Sequence, residues 1–211
     1  MNKMFYLVGA GGFAREVYSY LSKEKFEIDG FSCAGFIDDN PQALNGFSLE
    51  HGIVNSLFTE ELPKGSRLMM AIANPSLKEQ IYKFYKSLGH DFITYIHDSA
   101  FVGESVVLGE GTVVSPQSVI TANVSIGYCN TINAVATVGH DAKIGDFCTL
   151  SGHCDITGFV ELGSKVFLGS SAVVIPGVKV GNGAMIGAGS VVISKVKPGL
   201  TVFGNPAKKI K

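Results

Sequence analysis

The 211 residues suffice for one large domain or two small ones, and a 46% hydrophobic content makes a packed core easy to build. Seventeen basic and eighteen acidic residues nearly cancel, so no charge field points to nucleic acid or an anionic membrane surface. No apolar run is long enough to span a bilayer, the opening MNKMFYLVGAGG lacks the cleavage pattern of a secretory leader, and the four cysteines form no CxxC pair; no metal site and a reduced, cytoplasmic location are the expectations.

From Lys3, KMFYLVGAGG reads as a buried strand running into a glycine turn. FAREVYSYLSKE then carries helical spacing through Phe13, Val17, Tyr20 and Leu21. SCAGFIDDNP is a second short strand, ending in Asp38 and Asp39 before a proline turn, and SRLMMAIANP is a third. SLKEQIYKFYKSLG is expected to be a helix capped by Ser76, with Glu79 completing a capping box and Gly89 as its stop. Strand, helix, strand, strand, helix predicts an α/β unit over residues 1–95, a small Rossmann-like parallel sheet with crossover helices. The turn GAGGFA (Gly9, Gly11, Gly12, Phe13, Ala14) has the form G-x-G-x-x-G/A between strand and helix. Such a turn aims backbone N–H groups and a helix N-terminus at a phosphate; the plain alternative is a tight turn without a ligand. About ninety-five residues make only half of a double Rossmann unit, so NAD is not expected. Arg15, just inside the helix, is either a phosphate partner or a solvated side chain.

Residues 96–211 follow another rule. Stepping by six from Val102 gives Leu108, Val114, Ile120 and onward to Ile186 and Val192, sixteen positions that are all Val, Ile or Leu without an insertion. The residue after each is often Gly, and the residue four places on is small or Val. A period of six is neither the strand period of two nor the helix period of 3.6. It fits a β-solenoid in which a strand of about six residues covers one side of a triangular prism and three strands complete a coil. The aliphatic residue points inward and stacks on its equivalents, and the small residue fills the crowded corner. Bare prisms bury little on their outer faces, which predicts packing side by side as a homotrimer with clefts between neighbours.

His140 lies two places after inward Val138 and therefore projects outward. Gly158 lies eighteen residues further, over His140 one coil on, where a residue without a side chain leaves its N–H open. Cys148 and Cys154 fall on the small corner position and are expected to be core. A histidine of near-neutral pKa suits proton removal from a nucleophile; a surface histidine on a solenoid face is the alternative.

INAVATVGHDAKIGDFCTL, VVIPGVKVGNGAMIGAGSVV and the tail VFGNPAKKI resemble the left-handed β-helix acyltransferases. VGAGGFAREV, the two aspartates of GFIDDN, AIANP and YIHDSAFVG narrow the likeness. The whole chain resembles the sugar O- and N-acyltransferase family, which includes sialic acid O-acetyltransferases and N-acetyltransferases of nucleotide-linked 4-amino sugars. The resemblance implies a left-handed parallel β-helix of hexapeptide repeats behind the Rossmann-like unit, with acetyl-CoA as acyl donor. It implies His140 as general base, Asp141 as the acid that orients its ring, Asn133 as an active-site residue and Gly158 N–H as oxyanion donor. It also implies that the glycine loop (Gly9, Gly11, Gly12, Phe13), Asp38, Asp39, Ala73 and Asn74 contact a sugar nucleotide. Small residues at Gly187, Ala188 and Gly189 suit a pantetheine groove, and Lys208 or Lys209 suits a coenzyme phosphate. Relatives often carry a second histidine nine places after the base; here that place is Thr149, and His153 stands nearby. The favoured function is N-acetylation of a nucleotide-linked 4-amino-4,6-dideoxy sugar for a surface glycan. O-acetylation of sialic acid or another sugar hydroxyl, and a non-catalytic sugar-nucleotide-binding scaffold, are the alternatives.

Overall fold

An aliphatic residue at every sixth place is buried only if the chain turns after each short strand. The computed structural model, which describes residues 3–210, shows this from Thr94 onward, and the chain divides into two compact units at Ile93/Thr94. Two-residue strands stack in parallel at eighteen-residue intervals: Val138 pairs with Ile120 of the preceding coil and Ile156 of the next. Three faces result. The first runs from Tyr95–Ile96 through Thr131–Ile132 and Thr149–Leu150 to Met185–Ile186 and the terminal strands. The second runs from Phe101–Val102 through Thr137–Val138 and Asp155–Ile156 to Val191–Val192, and the third from Val107–Leu108 through Lys143–Ile144 to Lys179–Val180.

The inward ladder makes the core. From Val114 to Val192 each sixth residue is 4% exposed or less, while Val102 and Leu108 at the open end are partly buried. Each such burial contributes about 1.5–3 kcal/mol. Corner residues Ala136, Ala142, Cys148, Cys154, Ala172 and Ala184 are fully buried. The repeat slips at its end: Val180 bridges Val196 and Ile186 pairs with Val202, sixteen residues on.

Glycine after the aliphatic residue answers a different demand from turn conformation. A Cβ on Gly139 would lie 2.6 Å from Gly158 N of the next coil. The coils approach too closely there for any side chain. Positive φ falls two places later, on Asp141 (φ 59°) and its equivalents Ser105, Asn123 and Phe159.

The N-terminal unit contains β1 (Met4–Val8), α1 (Gly12–Leu21), β2 (Glu27–Ile28), β3 (Phe31–Ile37), β4 (Ile53–Asn55), β5 (Arg67–Met70), α2 (Pro75–Ser87) and β6 (Asp91–Phe92). β1 is central, with β3 parallel on one side and β5 parallel on the other; β4 extends the sheet beyond β3 and β6 beyond β5. The order of crossing reverses at β1, and ligands of open α/β sheets bind at the carboxyl ends of strands beside such a switch. Two- and three-residue strands β2, β4 and β6 carry too little alternation to be read from sequence. The cap of α2 also differs from expectation. Asn74, not Ser76, is the N-cap, its Oδ1 accepting from Leu77 N–H at 3.0 Å, because Pro75 takes the first helical position.

Candidate active site

His140 sits on the corner between the second and third faces, in the turn Gly139–Ala142. Hydrogen bonds to both neighbouring coils pin this turn. Gly139 N–H donates to Ile156 O at 2.6 Å, Phe159 N–H to His140 O at 2.9 Å and Asp141 N–H to Ala122 O at 3.1 Å. The backbone is therefore fixed while the imidazole stands outward, its side chain 58% exposed. Nδ1 of His140 lies 2.8 Å from Asp141 Oδ2. A proton on Nδ1 donated to that carboxylate leaves the lone pair of Nε2 as the basic site.

The ring lies over Gly158. A Cβ there would be 2.7 Å from Nε2 and 2.8 Å from Cε1 of His140. Only glycine fits without moving the imidazole. The Gly158 N–H donates to no acceptor among the described residues. The corner between the third and first faces shows why. There Tyr128 N–H is met by Asp146 Oδ1, Asp146 N–H by Ser164 Oγ and Ser164 N–H by Asn182 Oδ1, each acceptor one coil on. One coil on from Gly158 is Pro176, which has no polar side chain. The corner thus presents a basic nitrogen and an open amide donor side by side, the two groups that acyl transfer requires.

Other expected residues lie elsewhere. Asn133 is on the corner between the first and second faces, across the second face from His140, and its Oδ1 accepts from Ala134 N–H at 2.7 Å. Gly187, Ala188 and Gly189 share that corner three coils on. Gly187 N–H donates to Val202 O at 2.9 Å, and the Phe203 ring fills the space of a Cβ there. Ala188 and Gly189 are exposed; Lys208 and Lys209 are exposed on a strand antiparallel to Val202–Phe203. Thr149 points out from the first face yet is buried, and His153 is exposed on the corner with Asn133. The thiols of Cys33 and Cys154 are each pushed up to about 11 by burial, which opposes a thiolate role.

In the N-terminal unit a cavity of about 380 Å³ opens where β1, β3 and β5 end, lined among others by Gly9, Gly11, Gly12, Phe13, Asp38 and Ala73. Gly9 has φ +97°, and a Cβ there would meet Ile72 at 2.8 Å and Ala71 O at 3.1 Å, so no other residue fits. α1 starts at exposed glycines with no side-chain cap and no acid in its first turn. Asp38 lies at this cavity and both aspartates accept backbone hydrogen bonds. Asp38 spends both oxygens, Oδ2 on Ala10 N–H (2.7 Å) and Oδ1 on Asn40 N–H (2.8 Å), and so holds the glycine loop in place. Asp39 Oδ1 accepts from Leu57 N–H at 2.9 Å. Neither Asp39 nor Asn74 lines the cavity. Arg15 stacks on Phe47, its Cζ 4.0 Å from the ring centroid.

Sequence reasoning passed over Phe159. Its ring stands perpendicular to that of His140, centroids 5.0 Å apart. Adding eighteen to Asp141 finds it.

Two family descriptions match the chain, the PglD N-terminal domain over residues 5–84 and the bacterial transferase hexapeptide (six repeats) over residues 159–194. No curated protein matches. Among solved structures, PerB from Caulobacter crescentus, in complex with CoA and GDP-perosamine, is similar at 31% identity and TM-score 0.89, covering 100% of this chain and 99% of that one. WeeI from Acinetobacter baumannii AYE is 28% identical with TM-score 0.86, over 99% of this chain and 100% of its own. The acetyltransferase domain of PglB from Neisseria gonorrhoeae FA1090, in complex with acetyl coenzyme A, is 26% identical with TM-score 0.87 over 100% of both. An α/β unit followed by a hexapeptide solenoid, an imidazole over a bare peptide amide, and end-to-end likeness to PerB converge: the chain belongs to the hexapeptide-repeat sugar O-/N-acyltransferases and is an acyltransferase.

Proposed function

We propose that the protein transfers an acetyl group from acetyl-CoA to the amine of a nucleotide-linked 4-amino-4,6-dideoxy sugar. The observation that carries this reading is the His140 imidazole, held by Asp141 and lying over the open Gly158 amide. PerB was solved with CoA and GDP-perosamine and the PglB domain with acetyl coenzyme A, which supports donor and acceptor classes. Acetyl-CoA supplies the acyl group as a thioester. His140 Nε2 takes the proton of the amine as its nitrogen bonds to the acyl carbon, and returns that proton to the departing thiolate. Gly158 N–H meets the negative charge that gathers on the acyl oxygen, a role typically worth about 3 kcal/mol. The glycine loop and α1 N-terminus offer amides to the nucleotide's phosphates, with Asp38 keeping the loop in shape. Ala188, Gly189 and the Lys208–Lys209 strand are assigned to the coenzyme.

One protomer keeps Asn133 and Ala188 on a different corner from His140. A homotrimer of side-by-side prisms would bring the two kinds of corner together, and exposed Phe101, Val135 and Ile193 give it apolar surface to cover. We place the enzyme in the cytoplasm: all four cysteines are free and buried, and no helix among the described residues is long and apolar enough to cross a membrane.

The test is thiol release from acetyl-CoA against GDP-perosamine, UDP- and dTDP-linked 4-amino sugars, and sialic acid. A 4-amino sugar nucleotide should be the fastest acceptor. His140→Ala should lose turnover while keeping oligomeric state and nucleotide affinity. Release on sialic acid alone would move the reading to O-acetylation, and inactivity throughout would leave a binding scaffold.

A further inference from the structure

Phe159 is an expensive residue to place where it stands. Its backbone has φ 59°, a conformation that at this corner otherwise falls on Ser105, Asn123, Asp141 and Gly177. Small, Asn/Asp and glycine residues bear it best, and a bulky aromatic bears it poorly. On other corners Phe147, buried to 7% exposure, and Val135, 36% exposed, adopt it as well. Phe159 is 58% exposed. One coil on, Gly177 carries no side chain and nothing lies within 4 Å of where its Cβ would be, so that side stays uncovered. The ring contact that Phe159 does make is the perpendicular one with His140.

The imidazole needs such a contact. Gly158 leaves a gap beneath it, and its ring is anchored to the protein through Nδ1 on Asp141. One hydrogen bond at one edge fixes the tautomer and restrains that edge, but leaves the opposite edge, with Nε2, some freedom to rock. A second ring at 90° and 5.0 Å is the arrangement that aromatic quadrupoles favour, and it removes that freedom. Resting on the reading of His140 as general base, we infer that Phe159 is a positioning residue. It acts through the imidazole, holding Nε2 at the Gly158 gap, and takes no part in proton transfer. Backbone strain at an exposed position is the cost, and a base that is in place before the substrate arrives is the return.

The experiment measures Phe159→Ala, Phe159→Leu, Phe159→Tyr and His140→Asn with acetyl-CoA and the fastest acceptor of the panel above. Phe159→Ala should lower kcat about tenfold, between the loss of one edge-to-face contact and the roughly hundredfold cost of misplacing a reacting group by an ångström. Its KM for acetyl-CoA should stay within about twofold of the parent, because positioning acts on the chemical step. Phe159→Tyr should recover kcat and Phe159→Leu should not, since only the former restores a ring. Unchanged kcat in Phe159→Ala, a loss carried wholly by KM, or full recovery by Leu would each overturn the inference. If His140→Asn keeps its kcat, the base reading falls first. If His140→Asn is dead and Phe159→Ala is not, only the present inference falls. Absence of thiol release with every acceptor removes both.

Discussion

Gly158→Ala adds one methyl group at the most sensitive point of the corner. Gly158 has no positive φ, so alanine suits its backbone. The new Cβ would lie 2.7 Å from His140 Nε2, 2.8 Å from Cε1 and 3.3 Å from Cδ2. Ordinary contact begins near 3.4 Å, so the imidazole must retreat by most of an ångström. It can, because it is an exposed side-chain end rather than backbone, but the retreat opposes the 2.8 Å bond to Asp141. A displacement of about an ångström in a reacting group costs about a hundredfold in rate, or ~2.7 kcal/mol of activation free energy. The Gly158 amide remains, so oxyanion stabilisation persists and the loss is incomplete. Folding should hardly respond, since the strained contact is at the surface; a change within about 0.5 kcal/mol is expected. Steady-state thiol release gives kcat and KM, and a thermal melt gives stability. A variant with kcat within about threefold of the parent would refute the reasoning: transfer would then not occur over Gly158.

Gly139→Ala makes the opposite case one residue before His140. Its Cβ would meet Gly158 N at 2.6 Å and Thr157 C at 2.7 Å, all backbone, so nothing yields and the coils must part. A loss of about 1–3 kcal/mol is expected, read as a lower denaturation midpoint with an unchanged denaturant slope. The buried thiols of Cys33 and Cys154, each pushed up to about 11, hold almost no thiolate at pH 8. They should react with a disulfide reagent only as fast as the protein unfolds, and a rapid native-state reaction at either would contradict the packing. Lys86 Nζ at 2.6 Å holds the Asp91 carboxyl below its ordinary range. A depressed carboxylate contributes stability above its unfolded pKa and loses it as pH falls through the folded value. Asp91→Asn should therefore flatten the acid side of the stability–pH curve, by only a few tenths of a kcal/mol, because the exposed pair is screened.

The solenoid was legible because its period is covalent bookkeeping: each coil spends eighteen residues, so counting along the chain is measuring along the prism axis. That count gave the stacking of Gly158 on His140 and the burial of Cys148 and Cys154. It lost its footing after Val192, where Val196 and Val202 pair sixteen residues back and the hexapeptide rule no longer holds. In the N-terminal unit the glycine turn and the long strands were legible. The hydrogen bonds that Asp38 accepts from Ala10 and Asn40 N–H were not, because a carboxylate at a strand end looks the same in sequence whether or not it also holds the chain's own amides. The expected cap at Ser76 falls two residues late, because Pro75 takes the first helical position and leaves the cap to Asn74.

The sequence alone determined the inward ladder, the outward course of His140 and the bare position over it, since each follows from a fixed number of residues per turn. Tertiary structure alone decided which polar groups already have partners within the chain. Asp38 is bound to its own loop, Gly187 is covered by Phe203, and Asn133 lies a full face away from His140, while the Gly158 amide is left open by the proline above it. Spacing sets where a group is placed. Whether it remains available depends on short-range contacts with residues far away in the chain, and those exist only once the coils have closed on one another.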